Sequence, residues 1–158
     1  MARQFANGTS VPVDRTRAEI NKLLTDWQCA AIGWTDHLAE GRVDCNFAWH
    51  HDAALYRVRF AIQVHKEIED QRNGKWDAVV KRYMRKPSED ETRQRWRSAH
   101  RLLLLKLKAD LNAAAAGLAR VEEIFLPWIV DRNGVTVAEH VLPRLADYAA
   151  QLPPGPKP

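Results

Sequence analysis

Cysteine is scarce in this chain of 158 residues: Cys29 and Cys45 are the only two, and they form no CxxC pair. That excludes a disulfide-stapled scaffold and the paired-thiolate zinc motifs. Both fall in apolar, strand-like stretches, where cysteine acts as a small buried hydrophobe in a reducing compartment; a bond between neighbouring strands is the other reading. Long apolar runs are missing too. None approaches the ~18 residues of a membrane span, and the first residues lack the apolar core of a signal peptide. The expectation is a soluble, cytoplasmic protein with no membrane partner.

Catalytic signatures are equally absent. The chain has no GxSxG, no P-loop, no G-x-G-x-x-G and no HExxH. His37, His50, His51, Asp52 and His65 gather around the expected strands, but the adjacent His50 and His51 would point to opposite faces, so no metal is assigned. Asp44 belongs to the wet face of its strand, and Glu122-Glu123 reads as a solvated helix face. Asp36, Asp44 and Asp52 are the acids that a metal-dependent nuclease would have to use. No catalytic residue and no cofactor follow from these patterns, and the expected role is non-enzymatic.

What the chain does have is a concentration of positive charge. Residues 72–108 carry twelve Lys/Arg against four Asp/Glu, a net of +8, while 1–71 and 109–158 are each −2. The overall +4 is therefore local in origin. Trp76, Tyr83 and Trp96 lie within the basic block, a combination suited to phosphates and unpaired bases.

The apolar pattern predicts an α+β fold in one domain over 13–151, after a loose arm at 1–12 and before a Pro-rich tail at 152–158. Asp14 is placed to cap a short helix with Ile20, Leu23, Leu24 and Trp27 on its apolar face. Residues 29–35 read as a buried strand. Val43, Cys45, Phe47 and Trp49 then alternate with polar neighbours, and so do Tyr56, Val58, Phe60, Ile62 and Val64, with Arg57, Arg59 and Gln63 on the other side. Short connections make this a three-stranded antiparallel meander with one face buried. Residues 75–86 are expected to form a short basic helix bearing Trp76, Val79, Val80 and Tyr83 on one side, ended by Pro87.

Ser88 and Glu91 match a capping box, which opens a long helix running to about Phe125 and packing on the sheet. Its stripe is Leu103, Leu107, Leu111, Ala114, Leu118, Val121 and Phe125, with Gly117 as a bend point. A homodimer through this helix is an alternative use of the stripe; wrapping by the chain's own sheet is preferred. Asn133-Gly134 signals a hairpin between 128–130 and 135–137, and a helix over 138–150, bent at Pro143, closes the fold.

On the long helix Arg93, Arg97 and Arg101 align at i, i+4, i+8, a row of guanidiniums whose planar forks suit phosphate. With Arg95, Lys106 and Lys108, and with Lys75, Lys81, Arg82, Arg85 and Lys86, they are the expected phosphate contacts. Arg57 and Arg59 add charge from the sheet, and Trp76 and Trp96 are the stacking residues. The bland alternative is a solvated helix face paired with the acids of 66–70 and 89–91.

Three stretches carry a likeness: Thr9-Ser10-Val11-Pro12-Val13-Asp14-Arg15-Thr16-Arg17-Ala18-Glu19-Ile20, Arg93-Gln94-Arg95-Trp96-Arg97, and Glu122-Glu123-Ile124-Phe125-Leu126 followed by the 131–134 turn and Val135-Thr136-Val137-Ala138-Glu139. In this order they resemble a family of small bacteriophage and prophage proteins with no assigned activity, over most of the chain except 65–87. The resemblance implies a phage or mobile-element protein in the bacterial cytoplasm and brings no catalytic residues. Together these readings point to a nucleic-acid-binding accessory of DNA processing or recombination, with DNA favoured over RNA. The alternatives are an inhibitor or adaptor directed at an acidic or nucleic-acid-binding host protein, and, third, a metal-dependent nuclease.

Overall fold

The computed structural model describes residues 8–51, 53–64, 68–69, 74–78, 82–145 and 147. Helix α1 (Val13–Asp26) leads into three strands, β1 (Ala31–His37), β2 (Arg42–His51) and β3 (Ala54–Gln63), which pair antiparallel in that order. Two short strand pairs follow: β6 (Arg82–Arg85) sits between β4 (Ile68–Glu69) and β5 (Lys75–Asp77) in a second small sheet. Helix α2 (Glu89–Ala115), α3 (Val121–Phe125) and α4 (Val137–Val141) complete the order. The α+β meander with a helix packed on it is the expected architecture.

The period-2 pattern explains the core. Cys45, Phe47 and Trp49 of β2 and Val58 and Phe60 of β3 face Leu103, Leu104, Leu107 and Leu111 of α2 and Ile20 and Leu24 of α1, all buried. Phe125 closes one end, edge-on to Phe47 (5.4 Å, 80°) and Phe60 (6.1 Å, 83°). Such pairs add about 0.5–1.5 kcal/mol beyond area burial. The leucine stripe of α2 thus packs within its own chain. Both cysteines are free; Cys45 is buried and Cys29 half-buried.

Several expectations are corrected. Pro12, not Asp14, occupies the N-cap of α1, and no side chain caps it. The first strand starts at Ala31 and is an edge, so Ala31, Gly33 and Thr35 are exposed while Ile32 and Trp34 turn inward. The basic helix at 75–86 is instead the β5 and β6 pair, with Trp76 directly opposite Tyr83. Aromatic cross-strand pairs favour this arrangement, and residues 79–81 lie outside the described ones.

The long helix ends ten residues before Phe125. Gly117 adopts φ +71°, its N–H bonds the Ala114 carbonyl (3.0 Å), and the Leu118 N–H reaches back to Ala113 (2.9 Å). These two bonds form a Schellman motif, which satisfies terminal carbonyls and stops a helix. Leu118 consequently leaves the stripe and is 81% exposed. The Asn133-Gly134 turn closes a minimal hairpin: the Asp131 N–H bonds the Val135 carbonyl (2.9 Å) and the Val137 N–H the Ile129 carbonyl (3.0 Å) around a single Val130–Thr136 bridge, and Asp131 Oδ1 accepts from the Asn133 and Val135 N–H groups. Ile129 also bridges Val58 of β3. The last helix is one turn, α4, followed by a 3-10 turn at Leu142–Arg144; most of 146–158 lies outside the described residues.

Candidate nucleic-acid interface

The head of α2 is fixed by its own sequence. Ser88 Oγ accepts from the Glu91 N–H (3.2 Å) and Glu91 accepts from the Ser88 N–H (2.8 Å). Arg85 of β6 donates both arms of its guanidinium to the same Glu91 carboxylate, at 2.8 and 2.7 Å. Arg85 and the Ser88 N–H hold the Glu91 pKa down to about 2. One carboxylate thereby caps the helix and ties the small sheet to it.

On that sheet Trp76 and Tyr83 meet edge-to-face at 5.3 Å, yet are 57% and 45% exposed. Lys75 beside Trp76 is exposed, and so is Lys86 just past β6; neither has an ion-pair partner among the described residues. Lys81 and the side chain of Arg82 lie outside the described residues. Tyr83 was noted from sequence among the aromatics of the basic block but not singled out, as Trp76 and Trp96 were, as a stacking residue. The available signal was its mirrored position opposite Trp76 across the 78–81 connection.

The row on α2 is not a continuous cationic strip. Arg93 donates to Asp90 (3.1 Å), and Arg101 is held by Glu19 of α1 (2.9 Å). Lys106 pairs with Asp110 (2.6 Å) while lying over the rings of Phe60 and Trp128, at 5.6 and 5.9 Å. Arg97 is half-buried and Lys108 exposed, both without an ion pair among the described residues. Arg95 is half-buried, and desolvation lowers its pKa. Trp96 does not project: it lies tilted against His100 (6.0 Å) and floors an open cleft of about 660 Å³ with Pro12, Pro87, Arg93 and Arg97. Arg57 and Arg59 sit on the sheet face opposite α2, away from this row, and Arg59 is bound to Glu139 (2.7 Å).

Two other polar clusters were not legible in advance. The buried His100 accepts from Arg17 Nε (3.1 Å) and donates from Nδ1 to the Trp96 carbonyl (2.8 Å), which fixes its neutral tautomer. Arg17 also makes a two-armed pair with Asp36, holding that carboxyl below its usual range, and lies over Trp34. This cluster is a fastener between α1, β1 and α2. The second corrects the reading of Asp44: its side chain is only 8% exposed, wedged between His37 (3.1 Å) and Arg42 (3.2 Å), although it occupies the outward face of β2. Its Oδ1 and the Arg42 Nε make no aligned hydrogen bond.

Among the described residues no three His, Cys, Asp or Glu side chains converge as a metal cage. Burial pushes the Cys29 thiol to about 11 and Cys45 to about 12, far from a reactive thiolate. No described helix is long and apolar enough to cross a membrane.

Comparison with family models, curated proteins and solved structures finds no match. The strongest departure from an ordinary surface is the uncovered Trp76–Tyr83 pair with its flanking lysines.

Proposed function

We propose that this protein binds single-stranded nucleic acid, without catalysis, through β5, β6 and the adjoining head of α2. The observation that carries the reading is the exposed Trp76–Tyr83 pair on a strand face. Bases stack on such rings regardless of sequence, because every base has a π-face. Lys75, Lys86 and Arg97 supply cations without internal carboxylate partners among the described residues, which suits a backbone that passes the rings. The paired cations, Arg59, Arg85, Arg93, Arg101 and Lys106, act first as internal fasteners, so the contact surface is smaller than the charge of the block implies. The resemblance of the sequence to small phage and prophage proteins supports the context proposed, an accessory of mobile-element DNA processing.

The test is fluorescence anisotropy with a labelled mixed-sequence 20-mer, single-stranded and duplex, at low and raised salt. Binding to the single strand that weakens steeply with salt is expected. Undetectable binding at low salt, or binding that salt does not change, refutes the proposal. A second reading, an adaptor that acts on another protein, draws support from a separate observation, the open edge of β3.

A further inference from the structure

β3 is an edge strand of its sheet. Its register with β2 runs one-for-one without a bulge, and the Val64 N–H bonds the Gly41 carbonyl at 2.7 Å. In an antiparallel pair the backbone groups of successive residues turn alternately toward and away from the partner. The even residues therefore bond β2, and Arg57, Arg59, Ala61 and Gln63 turn their N–H and C=O groups outward. The chain itself uses this edge at one end. The Arg57 carbonyl accepts from the Val130 N–H (2.9 Å), and Ile129 bridges Val58. Farther along, the backbone groups of Ala61 and Gln63 have no partner among the described residues.

A groove of about 760 Å³ runs beside this edge, between β3 and α2. Phe60, Ile62, Leu102, Leu103 and Trp128 make its apolar wall. Its described lining includes Arg95 and Lys106 and no carboxylate. On the other side of the strand, Arg57 is exposed and unpaired among the described residues.

We propose that the β3 edge and this groove are a docking site for an extended, acidic segment of a partner protein, which adds to the sheet as a fourth strand. The exposed backbone of Ala61 and Gln63 would supply the ladder bonds, and the groove would take every second side chain. The intervening side chains would face Arg57 and Arg59. Exposed Arg57 on one side of the strand, with no acid in the described groove lining on the other, selects for carboxylates. A second copy of this chain fits less well, because pairing two β3 edges sets two sets of Arg57 and Arg59 on one continuous face. The chain's own 153–158 segment fits least. Proline at 153, 154, 156 and 158 leaves it almost no N–H groups to donate.

The test uses an immobilised positional-scanning library of heptapeptides probed with the full chain, followed by fluorescence polarisation on the best peptide. Enrichment of Asp or Glu together with Val, Ile or Leu at alternate positions is expected. Ala61→Pro removes an outward N–H while leaving the β2 ladder intact, and should raise the Kd about tenfold, the loss of a strand hydrogen bond plus the bulk of the ring. Arg57→Glu, at an exposed side chain with no ion pair among the described residues, should weaken the acidic peptide and strengthen its Lys-substituted counterpart. Circular dichroism checks that both variants fold, and Arg57→Glu decides if Ala61→Pro does not. No enrichment, equal binding by wild type and the folded variants, or a concentration-dependent dimer that Ala61→Pro abolishes would each overturn the proposal.

Discussion

Trp76→Ala is the perturbation that separates a stacking platform from an accident of surface composition. Trp76 is 57% exposed, and its one described ring contact is the edge of Tyr83. A cross-strand pair of this kind contributes about 0.2–1 kcal/mol, so the variant should melt within a few degrees of wild type. Loss of one stacked base costs about 1–3 kcal/mol, which is about 5- to 150-fold in Kd. Trp76→Phe keeps a π-face and should recover most of that loss. Salt provides the second axis. The three cations assigned to this surface, Lys75, Lys86 and Arg97, predict a slope of about −2 in log K against log salt for a single strand, so a fourfold rise in salt weakens binding about 20-fold. Removing Lys75 or Lys86 should flatten that slope by about 0.7 each. Anisotropy titrations at about 50 mM and about 200 mM salt, between which the Debye length roughly halves, read both effects. If Trp76→Ala binds within about twofold of wild type while its melting is unchanged, bases do not stack there and the reasoning fails.

Three further outcomes follow from the fold. Burial holds the His100 pKa below its ordinary 6.5, so the unfolded chain takes up the proton first; stability is complete above pH 6.5 and falls as the pH drops below it. Urea unfolding at pH 7.5 and 5.5 should show that loss in wild type and not in His100→Phe. Glu91 has its pKa lowered from 4.5 to about 2, so its contribution is complete above pH 4.5 and disappears toward pH 2; Glu91→Gln should lower the melting temperature at pH 7, and that difference should shrink as the pH falls from 4.5 and vanish near pH 2. Gly117→Ala meets no atom within 4 Å of the new Cβ, so its cost is purely that of a left-handed backbone, about 1–2 kcal/mol by chemical denaturation.

The elements that a single period dictates were legible in the sequence. The alternation along β2 and β3 and the Ser88–Glu91 box each state one structure, and each forms as read. Ambiguity arose where two periods coincide. Trp76, Val79, Val80 and Tyr83 fit i, i+3, i+4, i+7, but Trp76 and Tyr83 are also symmetric about a turn, and the cross-strand pairing wins. The apolar stripe continues in phase through Leu118 and Phe125, while Gly117 takes the positive φ that ends the helix before either of them. Parity placed Asp44 on the outward face correctly; its burial depends on His37 and Arg42 leaning over it, which parity does not encode.

The candidate site was the least legible part, and the reason is the range of its ion pairs. Arg101 finds Glu19, 82 residues earlier in the chain, and Arg59 finds Glu139, 80 residues later. A local count of charge sees the cations of 72–108 and not the distant acids that meet them. Each of these pairs also joins separate elements: Arg101 fastens α2 to α1, Arg85 fastens β6 to α2, and Arg59 fastens β3 to α4. A cation held in this way is a poor phosphate contact, since binding would first have to break a bond that helps to hold the fold. The charge offered to a partner is therefore what remains after assembly. Lys75 and Lys86 remain around an exposed aromatic pair, whereas the charge of α2 is largely answered from within. That division moves the weight of the functional argument from the helix, where the sequence concentrates arginine, to the small sheet, where the fold leaves aromatic surface uncovered.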